Sequence, residues 1–176
     1  MSLSIGATAP PFSLPAVDGH TYTYDDVKGA RGTVILFWCN HCPFVQGSEA
    51  RLVRIVSEYA DQGVGFAAIN ANNPATHVED DFPHMVERAK TQGYNFAYLQ
   101  DESQDVARSY GAQRTPEAFL FDADGALRYH GRIDNNPQDE RAANAHDLRS
   151  ALDAVLAGQT PDPAETGPIG CTIKWK

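Results

Sequence analysis

The chain has 176 residues, 42% of them hydrophobic and 21% charged, and a formal net charge of −9. That length and balance suit one globular domain with a real core, and an acidic chain with no basic stripe argues against nucleic acid or anionic lipid as a partner. No apolar run approaches the ~18 residues of a membrane span, and the start "MSLSIGATAPPFSLPA" lacks a basic segment followed by an apolar one, so the expectation is a cytoplasmic protein without a membrane partner, in a compartment that keeps thiols reduced.

"FSLPAVDGHTYTY" reads as two short strands around the turn Asp18-Gly19. "DDVKGARG" reads as a turn-rich, solvated connection. "TVILFWC", residues 33–39, is a continuous apolar run rich in β-branched and aromatic residues, the pattern of a strand buried on both faces. A helix is predicted to start at Pro43, where a missing N–H costs nothing. Val45, Leu52, Ile55, Val56, Tyr59 and Ala60 share its inner face, Arg51, Arg54, Ser57 and Glu58 lie off that face, and Gly63 closes it. "VGFAAINAN" is the next strand, so a right-handed β-α-β unit with parallel strands is expected.

The remaining elements alternate. A helix over 82–92 is opened by Asp80, Asp81 and Pro83 and closed by Gly93, with the acidic stretch 79–81 expected in solvent. "FAYLQD" is a short strand, "ESQDVARSYG" a helix ending at Gly111, and "AFLFDADGALRYHGRI" a hairpin around Ala123-Asp124-Gly125. A last helix spans 144–157, with Ala145, Leu148, Leu152, Val155 and Leu156 inward. The whole is α/β: a mixed sheet with a parallel core and an antiparallel hairpin, flanked by helices. Residues 1–160 form the domain, and the Pro- and Gly-rich stretch 161–176 is a tail expected to pack on it.

Two of the three cysteines fall in "FWCNHCPFV". Three is too few, and odd, for a disulfide scaffold; a close pair in a reducing compartment points to redox chemistry or a metal. At the junction of buried strand and helix, Cys42 faces unpaired backbone N–H groups and the positive end of a helix dipole. Such positions lower a thiol pKa from about 8.5 to roughly 3.5–7.5. Cys39 lies within plausible disulfide reach, so one thiol can attack and the other release the product. Two alternatives stay open: a pair of small core residues, or a copper or zinc site using Cys39, Cys42 and His41, which lacks an obvious fourth ligand. His41 either supports the Cys42 thiolate or is incidental. His20, His77, His84, His130 and His146 show no ligand spacing and are expected on the surface. No dinucleotide or phosphate-loop fingerprint is present, and no cofactor is expected.

These residues resemble a known family. "GATAPPFSLPAVDG", "CNHCPFV", "DESQDVARSYGAQRTPEAFLFDADGALRYHGRID" and "GPIGCTIKWK" together are similar to the peroxiredoxin-like thioredoxin family, related to the alkyl hydroperoxide reductase and thiol-specific antioxidant group. The resemblance implies a thioredoxin-like fold with an N-terminal hairpin and a docked C-terminal tail. It implies a thiol-disulfide oxidoreductase, or a peroxidase with antioxidant activity, that acts on a protein or small-molecule disulfide or peroxide and draws on a thiol reductant. It leaves a homodimer open. It also implies that Thr115-Pro116 is a cis-proline turn beside the cysteines, with Arg114 either near the thiols or in solvent. Two departures stand out. A peroxiredoxin carries Pro-x-x-x-Thr-x-x-Cys; counting back from Cys42, the threonine position holds Cys39 and the proline position Ile35. Against thioredoxin, the strand runs into Cys39 without a spacer, so Cys42 falls where the attacking cysteine stands. Cys42 is accordingly read as nucleophile and Cys39 as resolving thiol, with the reverse order as the alternative.

"GPIGCTIKWK" alternates, so Ile169, Cys171, Ile173 and Trp175 share one face if extended. That face either docks Cys171 as a small apolar group or carries it to the site as a second resolving thiol.

Overall fold

The computed structural model describes residues 2–176. Its centre is a five-stranded sheet of β3 (Gly32–Phe37), β4 (Val64–Asn70), β5 (Ala97–Gln100), β7 (Glu117–Asp122) and β8 (Leu127–Gly131), in the order β5-β4-β3-β7-β8. The strands β3, β4 and β5 are parallel; β7 runs antiparallel to β3, and β8 to β7. β1 (Ser13–Pro15) and β2 (Thr21–Thr23) form the expected N-terminal hairpin. The short β6 (Arg114–Thr115) pairs with β9 (Cys171–Thr172) at the chain's end.

The apolar run of β3 is explained by its place in the sheet. Val34 and Leu36 face one core with Leu52, Ile55, Leu148 and Leu152; Ile35 and Phe37 face the other with Leu14, Tyr110 and Phe119. Helices cover both sides, so every residue of β3 is buried. Truncating Leu36 to alanine in such a setting costs about 2–5 kcal/mol.

The connection after β2 is not merely a loop. α1 (Tyr24–Val27) is one helical turn, capped by Thr23 in a reciprocal box with Asp26. The helix expected from Pro43 is two helices, α2 (Pro43–Gln46) and α3 (Glu49–Ala60). They part at Gly47, where a Cβ would lie 2.3 Å from the Pro137 carbonyl oxygen. Arg51, expected off the apolar face, is buried. Its guanidinium donates to Asp134 Oδ2 at 2.6 Å and to the carbonyls of Gly47, Asn136 and Pro137. Ala60 lies in solvent instead. α4 (Phe82–Thr91) is capped by Asp81, whose side chain accepts the His84 N–H. α5 (Asp105–Tyr110) ends at Gly111, and α6 (Asp147–Leu156) begins three residues later than expected, with Leu148 and Leu152 fully buried.

Beyond α6 the chain returns along β8, where the Thr166 N–H donates to the His130 carbonyl, and then crosses to β6. Among the described residues, no helix is long and apolar enough to cross a membrane.

Candidate active site

The cysteine loop leaves the end of β3, the central strand. Cys39 and Cys42 have no exposed surface. The peptide bond Thr115-Pro116 is cis and faces them. Cys39 Sγ lies 3.3 Å from Thr115 Oγ1, and Cys42 Sγ lies 3.5 Å from the Thr115 carbonyl oxygen. The tail supplies the third sulfur: in the β6–β9 pair Cys171 stands opposite Thr115, and its Sγ is 2.7 Å from that of Cys42.

The two loop thiols are driven apart in acidity. The Cys39 thiol, as donor to the Cys42 sulfur, is the first cause that lowers Cys42 to about 4; burial opposes it, and the thiol of Cys171 and the amides of Val45 and Cys171 assist. Cys39 is pushed well above the ordinary thiol value, first by that same bond, then by burial and by the charge of Asp80. Cys171 rises to about 11, chiefly through burial and then through Cys42. The helix-dipole argument carries less of this than expected. α2 is a single turn, and no backbone amide caps the Cys42 side chain in full hydrogen-bonding geometry. The neighbouring thiols do most of the work.

Asp80 corrects the expectation of a solvated acidic stretch. It is buried, and its carboxylate accepts the Asn40 N–H at 2.7 Å and the Asn72 side-chain amide at 2.9 Å. His41 Nδ1 also contacts it directly, and His41 stacks on His77 with ring centroids 5.2 Å apart. The loop between the cysteines is thereby tied to the segment before α4. No sequence motif marks Asp80; the signal is that Asp81 alone suffices to cap α4, which leaves its neighbour without a local task.

One donor atom each from Cys39, His41 and Asp80 lie within 4.8 Å of one another. The metal set weighed from sequence used Cys42 in place of Asp80. In the structure His41 and Asp80 are each other's partners, so the cluster reads as a hydrogen-bonded support for the loop. His130 is likewise buried rather than on the surface, with Nε2 2.5 Å from Glu117 Oε2; Glu117 also accepts the N–H groups of Gln113 and Arg114, fixing the approach to the cis-proline. Arg114 points to solvent and donates to the Gly170 carbonyl at 3.0 Å, so it holds the tail rather than a loop thiol.

A mixed sheet of this order, with two cysteines leaving its central strand and a cis-proline facing them, defines a thioredoxin-like fold. Residues 5–130 match the AhpC/TSA family, and the chain belongs to that family. A crystal structure of an uncharacterized conserved protein from Geobacillus kaustophilus is 42% identical, covers 98% of this chain and 93% of its own, and superposes with a TM-score of 0.93. The thiol-disulfide oxidoreductase ResA of Geobacillus thermodenitrificans is 27% identical over 127 residues, 72% of this chain and 68% of its own. The thioredoxin domain of a thiol-disulfide oxidoreductase from Bacteroides vulgatus is 18% identical, with a TM-score of 0.61 over 72% of this chain and 86% of that one, a likeness of fold alone.

Proposed function

We propose that the protein is a cytoplasmic thiol-disulfide oxidoreductase in which Cys42 is the nucleophile. The observation that carries this reading is the convergence of the thiols on the cis-proline turn: Cys42 Sγ lies 2.7 Å from Cys171 Sγ and 3.5 Å from the Thr115 carbonyl oxygen, Cys39 Sγ lies 3.3 Å from Thr115 Oγ1, and the neighbouring thiols lower the Cys42 pKa while that of Cys39 is raised. Only the thiolate attacks a disulfide. Cys42 S⁻ takes one sulfur of the substrate disulfide and expels the other as a thiolate. A second thiol in reach then attacks Cys42, releases the bound half, and leaves an internal disulfide that a thiol reductant reopens. Substrates of protein or small-molecule disulfide class fit this chemistry, and kinship with a relative named as a thiol-disulfide oxidoreductase supports it.

A Cys42→Ser variant should lose disulfide reduction by on the order of 10³-fold or more, as removal of a nucleophile does elsewhere. Full turnover by this variant in a steady-state assay with an aromatic disulfide would refute the reading. Hydrogen peroxide in place of the disulfide tests the peroxidase alternative. With Cys39 in place of the threonine that helps hold peroxide in peroxiredoxins, and Ile35 in place of the motif's proline, peroxide consumption should be the slower reaction.

A further inference from the structure

The Cys42 sulfur has two neighbours, and the structure separates them by access. Cys39 is enclosed, hydrogen-bonded to Thr115 and close to the Asp80 carboxylate. Cys171 is half-buried, beside Arg114 and Lys174, and 2.7 Å from Cys42 Sγ. A disulfide needs about 2.05 Å between sulfurs and Cα atoms roughly 4.4–6.8 Å apart. The tail is built to hold the approach. Gly170 passes so close to β6 that a Cβ would lie 2.1 Å from the Thr115 carbonyl oxygen. Ile173 is buried and donates its N–H to the Gln113 carbonyl. Lys174 is clasped on both sides, its N–H by Asn72 and its carbonyl by the Asn73 N–H and the Gln104 side-chain amide. These contacts exceed what a loosely attached terminus makes.

We propose that Cys171 is the resolving thiol, so that the oxidised protein carries a Cys42–Cys171 disulfide whose accessible sulfur, on the tail, is the one the reductant attacks. This rests on Cys42 as nucleophile and names the thiol that completes its reaction. In the first step Cys171 gives up its proton and attacks Cys42 Sγ. The S–S bond to the substrate half breaks, and that half leaves as a thiolate that takes the proton. The substrate disulfide has gained two electrons, and the Cys42/Cys171 pair has lost them. For regeneration, a small thiol reductant attacks Cys171 Sγ as thiolate. Cys42 is the leaving group, favoured because the more acidic thiol leaves faster. A second reductant molecule then displaces the first from Cys171, giving the reductant's disulfide and two protein thiols. Ionising Cys39, enclosed and beside a carboxylate, is the costlier route.

The test treats the reduced 176-residue chain with oxidised glutathione, quenches with an alkylating reagent, and maps disulfides by mass spectrometry. Wild type should give Cys42–Cys171 with Cys39 free, and Cys39→Ser should still give that bond, formed more slowly near neutral pH because Cys42 loses the thiol neighbour that most lowers its pKa. Cys171→Ser should accumulate glutathione on Cys42 and clear it at least tenfold more slowly, through Cys39. Gly170→Ala, which pushes the tail off β6, should lower the Cys42–Cys171 yield in favour of Cys39–Cys42. A wild-type Cys39–Cys42 bond with Cys171 free, a Cys39→Ser protein that stalls with glutathione on Cys42, or an unchanged product in Gly170→Ala would each overturn the proposal while leaving Cys42 as nucleophile. If no variant couples glutathione to Cys42, the reading of Cys42 fails and this inference goes with it.

Discussion

Cys39 and Cys171 approach the same sulfur from opposite constructions. Cys39 is carried by a strand paired on both edges and sealed on both faces, and its loop is pinned by Asp80. Cys171 is carried by a two-residue strand paired on one edge. The first arrangement holds a proton where the Cys42 thiolate needs a donor. The second presents a half-buried sulfur 2.7 Å from Cys42 Sγ. The contrast teaches that proximity alone does not assign a redox role: the enclosed thiol is suited to tuning its neighbour, and the half-buried one to the exchange we propose.

The harshest way to break this contrast is to remove the anchor of the inner thiol. Asp80→Ala strands the buried Asn40 N–H and the Asn72 side-chain amide. At roughly 1–3 kcal/mol for each unsatisfied buried group, the loss should be about 3 kcal/mol. Thermal unfolding should then fall by roughly 6–12 °C for a chain of this size; an unchanged melting curve would mean that Asp80 does not hold the loop.

Titration sharpens the comparison at intermediate cost. The rate of Cys42 alkylation against pH should show a midpoint well below the ordinary thiol range, toward about 4. Cys39→Ala should raise that midpoint further than Cys171→Ala, because the Cys39 thiol is the larger of the two lowering influences. The sign for stability follows. Between about 4 and the unfolded thiol value near ~8.5, the unfolded chain binds the extra proton at Cys42, so the reduced protein gains stability as pH rises and loses it as pH falls through about 4. Above ~8.5 the raised Cys39 opposes this, since there the native state is the one that keeps a proton. Equal midpoints in the two variants would remove the distinction between tuning thiol and exchanging thiol.

The smallest effect belongs to Arg114→Ala. It deletes one exposed hydrogen bond to the Gly170 carbonyl, of about 0.5–1.5 kcal/mol. Cys42 should become more reactive toward iodoacetamide by a few-fold as the tail lifts more often. No change would place the tail's hold in Ile173 and Lys174 alone.

Much of this molecule is legible in its sequence because local and tertiary demands agree. The run 33–39 is continuous because β3 is covered on both faces, and the Asp18-Gly19 and Ala123-Asp124-Gly125 turns sit where their strands end. The three cysteines and Thr115-Pro116 stand out by residue type, and the structure brings them together. Features that depend on distant chain segments are not legible. Arg51 looks like a solvent-side helix residue until residues 134–137 fold over it. Asp80 looks like part of an acidic helix start until Asn40, His41 and Asn72 surround it. His130 has no visible partner in its own strand; Glu117 reaches it across the sheet. The break at Gly47 depends on the close approach of the Pro137 carbonyl, a distant segment that the helical apolar spacing does not reveal.

The two-residue ladder between β6 and β9 has a consequence for how the molecule is tuned. Its rupture is a local opening, whereas displacing β3 requires the whole sheet to come apart. On the proposed role of Cys171, access to the Cys42 sulfur is governed by these few tail contacts rather than by the free energy that keeps the domain folded. Substitutions that weaken the core can leave reactivity intact, and substitutions in the last seven residues can change reactivity severalfold without altering the fold, so the two properties are free to evolve apart.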